Sequence, residues 1–125
     1  MMRKRLRKKL QKGEFAVPVI PIAFRMLDLP TPDRESLLDR FMAEAIEANG
    51  LQFGGGGDGS IWSGYAEPEG WPRTITDDQR SAVDVWIASR QEITERFVGE
   101  VTTDTDVEAV ANGDPDFPAS RLGDV

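Results

Sequence analysis

The sequence predicts an α+β domain built as a two-layer sandwich, and three observations carry that prediction. Short apolar stretches with strand character alternate with two longer stretches of helical period. Their order along the chain is strand, helix, strand, strand, helix, strand. Capping and turn residues separate them, and 125 residues suffice for one compact domain.

The first strand is expected at Val19–Met26, where Ile20, Ile22, Phe24 and Met26 alternate with Pro21, Ala23 and Arg25. Pro21 lacks an N–H donor, which places the start of this strand at a sheet edge or outside the ladder. The first helix follows in LPTPDRESLLDRFMAEAIEANG. Thr31 suits its N-cap and Pro32 its first helical position, while Asp33 and Glu35 favour the positive helix end. Leu37, Leu38, Phe41, Met42 and Ala45 form its apolar face, and Asn49-Gly50 ends it.

LQFGGGGDGSIWSGYAE then predicts two strands, Leu51–Phe53 and Ser60–Glu67, joined by a glycine-rich turn. Thr76 with Gln79 three residues on forms a capping box, opening a second helix with Ala82, Val83, Trp86 and Ile87 as its buried stripe. A last strand is expected at Arg96–Thr102. This order matches the split βαβ, ferredoxin-like βαββαβ arrangement, with both helices on one sheet face.

Charge divides the chain into three parts: a basic arm at 1–13, the α+β domain at 14–102 and an acidic tail at 103–125. Arg3, Lys4, Arg5, Arg7, Lys8, Lys9 and Lys12 give residues 1–12 a charge of +7. The whole chain carries −7, so residues 13–125 carry −7 − 7 = −14. Blocks of like charge are solvated, and basic N-terminal arms commonly meet nucleic acid. The arm is expected to be disordered alone and to order when counter-charge arrives. In the tail, Asp104, Asp106, Glu108, Asp114, Asp116 and Asp124 against Arg121 leave −6 + 1 = −5, and disorder is expected there too.

The basic start followed by FAVPVIPIAF resembles a secretory signal. Pro18 and Pro21 interrupt that apolar run, and no small-x-small cleavage site closes it before Arg25. The expectation is therefore a cytoplasmic protein. No apolar run approaches the roughly 18 residues that span a bilayer, so no membrane partner is expected.

The absence of cysteine and histidine removes disulfides, thiolate or imidazole metal sites, and Cys–His or Ser–His catalysis. GGGGDG at 54–59 formally satisfies a dinucleotide pattern, but strand-like SIWSGYAE follows it where a helix must open. A Walker sequence fails as well, because Ser60-Ile61 replaces Lys-Ser/Thr. Gly54, Gly55, Gly56, Gly57, Asp58 and Gly59 are instead a candidate contact loop, since glycine permits close backbone approach. Trp71, between Gly70 and Pro72, is the accompanying candidate contact residue.

Asp104-x-Asp106-x-Glu108 lacks the glycine and the closing glutamate of a calcium loop, with Ala109 and Pro115 standing there. Ile61 and Tyr65 share one face of the third strand and Trp62 the other. The basic and aromatic signature of RNA-recognition motifs is missing from SIWSGYAE, so Trp62 and Trp86 are assigned to core packing. No catalytic constellation, metal site or cofactor is expected.

Four segments resemble the bacterial YggL family, proteins described as associating with the large (50S) ribosomal subunit. They are RKRLRKKLQKGEF at 3–15, EAIEANGLQFGGGG at 44–57, IWSGYAE at 61–67 and TITDDQRSAVDVWIASR at 74–90. The prolines in AVPVIP and the acidic extension after Thr103 depart from the family pattern. The resemblance implies a non-enzymatic accessory protein of the ribosome, contacting ribosomal RNA, ribosomal proteins or both. The physics agrees: seven cations engaging phosphate would release about five or six counterions. A competing expectation is a protein-interaction adaptor whose arm binds acidic proteins or its own acidic tail. The oligomeric state is not legible.

Overall fold

The computed structural model describes residues 17–71, 73–103 and 106–123. Chain order is β1 (Pro18–Met26), α1 (Thr31–Arg40), β2 (Leu51–Asp58), β3 (Ile61–Pro68), α2 (Asp77–Ala88), β4 (Ile93–Val98), β5 (Thr102–Thr103) and a short α3 (Val107–Ala111). A 3-10 turn at Ala119–Arg121 follows, and the Phe117–Pro118 peptide is cis.

The sheet order is β2-β3-β1-β4, with β5 also pairing β1, and every neighbouring pair is antiparallel. β1 and β2 therefore run parallel with β3 between them, the arrangement a split βαβ unit demands. Pro21 thus lies in a central strand and not at an edge. Its carbonyl accepts from Gly99 N–H at 2.8 Å, so its polar edge faces β4, whose ladder with β1 has ended at Ile22↔Val98. The missing donor falls beyond that ladder, and the β1–β3 pairing at Pro21↔Tyr65 is undisturbed.

α1 begins one residue earlier than its cap pattern suggests: Thr31 is its first residue and Pro30 the N-cap, without a side-chain cap bond. The helix continues as a π turn over Phe41–Ile46 and a 3-10 turn over Glu47–Asn49, ending at Gly50 in the left-handed region (φ 73°). The i→i+5 repeat of the π turn brings Phe41 and Ile46 onto one face, so both are buried beside Ala45. α2 begins as expected, with the reciprocal capping box between Thr76 and Gln79.

The core lies between these helices and the inner sheet face. Ile20, Ile22, Phe24 and Met26 meet Leu37, Phe41, Ile46, Val83 and Ile87, all buried. Phe41 is the hub, with Phe24 and Phe53 edge-on at 5.2 and 5.3 Å and Trp86 at 5.9 Å. Trp62 and Trp86 pack against this cluster as expected.

Three expectations need correction. β2 runs to Asp58, so Gly54–Gly57 are strand and the turn is Gly59-Ser60. A Cβ at Gly55 or Gly57 would run into the Ser63 or Ile61 carbonyl, so those two strand positions require glycine. β4 occupies Ile93–Val98, and a break at 99–101 precedes the two-residue β5. Residues 106–123 are not a disordered tail. They close over the outer sheet face, where Phe117 and Leu122 are 8% and 6% exposed.

Candidate functional site

Arg3, Lys4, Arg5, Arg7, Lys8, Lys9 and Lys12 lie outside the described residues, but the place where they join the fold is defined. Val17 is buried, and the next residues pair with β5 as Pro18↔Thr103 and Val19↔Thr102. The basic segment therefore joins the sheet at one end of its central strand. The antiparallel register puts the last residues of β3 at that same end.

An open groove of about 380 Å³ opens after β3, lined by Gly50, Pro68, Glu69, Trp71, Thr76 and Gln79 among others. Glu69 N–H donates to Gly50 O at 3.0 Å, and Gln79 Nε2 donates to Asn49 O at 2.8 Å, tying its walls together. Trp71 is 85% exposed, with the Arg73 guanidinium 5.9 Å from its ring. The Trp71 indole is thus left largely in water at the groove's rim, outside the core.

Gly54–Gly57 and Asp58 form the second half of β2, the edge of the sheet, with Gly59 in the turn. No helix opens after them, so they make no phosphate cradle of the dinucleotide type. Among the described residues no cluster of His, Cys, Asp or Glu could hold a metal ion, and no helix is long and apolar enough to cross a membrane.

The distribution of cations is sharper than net charge alone conveys. All four lysines precede residue 13, and the eight positive residues beyond them are arginines. Several are tied to the fold. Arg80 donates to the Gly99 and Val98 carbonyls at 2.7 and 2.6 Å, and Arg96 pairs with Asp84 at 2.8 Å. Arg25 pairs with Glu95 at 3.1 Å, Arg40 with Glu44 at 3.8 Å, and Arg90 covers the Trp86 ring at 4.7 Å. The signal for this commitment is absent from composition, which counts cations without their partners.

A family model described as YggL 50S ribosome-binding protein matches residues 4–105. The chain belongs to the YggL family. No curated protein and no solved structure matches it. The YggL match takes in β1 through β5, both long helices and the basic segment from Lys4 onward. The match ends at residue 105, ahead of the described residues 106–123 that close the outer sheet face.

Proposed function

We propose that this YggL-family chain is a non-enzymatic accessory protein of the large ribosomal subunit, acting in the cytoplasm. Arg3, Lys4, Arg5, Arg7, Lys8, Lys9 and Lys12 engage ribosomal RNA phosphates, arginine by forked contacts and lysine as a point charge. The ferredoxin-like body, at −14 without the arm, is held off bare RNA and meets the subunit through Trp71 and the glycine edge of β2. The observation that carries this reading is the family match together with the segregation of cations. Body arginines are largely committed to carbonyls, carboxylates and rings, so the polyanion contact falls to the arm. Gradient sedimentation of a lysate at low salt tests it: the full chain travels with the large subunit, and deletion of residues 1–12 moves it to the top. Unchanged co-sedimentation of the deletion variant would reject the arm's role.

A second reading is favoured by one observation. β1 pairs with β5 at Pro18↔Thr103, so Pro18, which follows the basic segment in sequence, and Thr103, which precedes the acidic run beginning at Asp104, are neighbours in the sheet. In this reading the acidic run competes with RNA, or with acidic protein partners, for the arm. Neutralising Asp104, Asp106 and Glu108 to amides then tightens RNA binding, and no change would retire it.

A further inference from the structure

The outer sheet face is covered in an unusual way for a sheet of this topology, by an irregular stretch of the same chain. Paired residues share a face, so Pro21↔Tyr65, Ala23↔Phe97 and Arg25↔Glu95 put Tyr65 and Phe97 on either side of a floor of Pro21 and Ala23. Phe117 enters between them, 6.5 Å from Tyr65 and 5.9 Å from Phe97. The Arg121 guanidinium lies over both Phe97 and Phe117, at 5.6 and 5.1 Å. Leu122 is the second buried anchor.

Beyond Leu122 the contact becomes a backbone clamp. Arg25 Nη2 donates to Gly123 O at 2.7 Å, and Gly123 N–H donates to Glu95 Oε2. Both polar groups of one residue are thus read by a single Arg–Glu pair, itself joined at 3.1 Å. A Cβ at Gly123 would approach only the Glu95 carboxylate, with Oε2 at 2.9 Å, so the clamp reads the peptide backbone at this position. The face therefore recognises a pattern: phenylalanine, three residues, then arginine-leucine and a clamped peptide unit, as in Phe117 to Arg121-Leu122-Gly123.

From this we propose that the outer sheet face is a peptide-docking surface, whose partner is a protein segment of that Phe-x-x-x-Arg-Leu chemistry, and that residues 106–123 occupy it in cis. Two observations argue for exchange over a permanent layer. The sheet residues that form the face all lie inside the family-matched stretch, whereas the occupant lies outside it. Its ties to the sheet are concentrated in Phe117–Gly123, with a five-residue helix and one 3-10 turn as its regular structure among the described residues. Such a segment opens at a free energy well below that of global unfolding. This inference is independent of the ribosome reading.

The test uses a fluorescent peptide of residues 112–123 as the probe and the full chain as the receptor, with no ribosome present. The tethered occupant competes at an effective concentration on the order of millimolar, so the parent chain binds the probe poorly. The F117A/L122A chain, stripped of its own anchors, is expected to bind at least about tenfold tighter by anisotropy. A probe carrying Phe117→Ala should lose binding, as should Phe97→Leu placed in the receptor. A cooperatively unfolding F117A/L122A chain that gains no binding overturns the proposal, and so does a gain indifferent to Phe97. If that variant does not fold, exposed Arg121→Ala carries the test, with an expected gain of about two- to threefold from losing its cation–π contact with Phe97 across the interface; no gain there overturns it equally. A parent chain that dimerises by exchanging the segment would assign the face to self-association and overturn the partner.

Discussion

On its helix side the sheet meets Leu37, Phe41, Ile46, Val83 and Ile87, side chains delivered by two long helices. On its outer side it meets Phe117 and Leu122, delivered by a stretch with little regular structure. The first layer is a continuous apolar contact in which Phe41 alone touches three aromatic rings. The second is a few anchors, a guanidinium over two rings and a clamp on one peptide unit. One β1 strand serves both: from Ile20 to Met26 its even residues are large and apolar, its odd ones small or polar. The difference teaches that one face of this sheet makes the fold, while the other is available for recognition.

The comparison breaks most visibly at Phe41. Phe41→Ala is expected to destabilise the whole domain by about 3–5 kcal/mol, because the hub is fully enclosed and the cavity cannot collapse. Urea unfolding at neutral pH measures this. Phe117→Ala should cost less, about 1–2 kcal/mol, and its signature is local. Amide exchange at Gly123 accelerates while exchange at Ile22 in β1 is unchanged; equal acceleration at both would merge the two layers into one. Thr76→Ala removes the side-chain half of the α2 capping box and should lower stability by about 1 kcal/mol. Since α2 belongs to the helix layer, this change should leave Gly123 exchange unaltered.

Acid sharpens the contrast further, though by the smallest effect. The Gly123 N–H and the Arg25 guanidinium hold the Glu95 carboxyl below its ordinary value. A bond to Ser120 and the Asp116 N–H do the same for Asp114, within the covering segment. A carboxylate with a lowered folded pKa stabilises above its unfolded pKa, and that contribution is lost as pH falls through the folded value. The cover should therefore loosen across the acid end of the carboxylate range, before the helix layer, read as Gly123 exchange against pH. Glu95→Gln should flatten that dependence, and an undiminished slope would assign it elsewhere.

Much of the helix layer was legible because periodic burial writes itself into sequence. Ile20, Ile22, Phe24 and Met26 announce a strand, and Thr76 with Gln79 announces a helix start. The glycine tract misled because glycine usually marks turns, whereas Gly55 and Gly57 are demanded by the closeness of the β3 backbone. β4 was misplaced because Glu95 and Arg96 are committed to Arg25 and Asp84, so ion pairs mask its alternation. The covering segment was missed for a different reason. Phe117 and Leu122 are five apart, a spacing that fits neither a strand nor a helix face, and acidic neighbours surround them. Of the candidate site, the arm's charge was fully legible and Trp71's exposure was expected. The tying of body arginines to internal partners was not, since that depends on contacts distant in sequence.

The most direct test of the functional account is the salt dependence of affinity for purified large ribosomal subunits. The parent chain is compared with one in which Arg3, Lys4, Arg5, Arg7, Lys8, Lys9 and Lys12 are all changed to glutamine. The account predicts a steep parental slope, with about five or six counterions fewer released by the neutralised chain. Equal slopes and equal affinities for the two chains would contradict it.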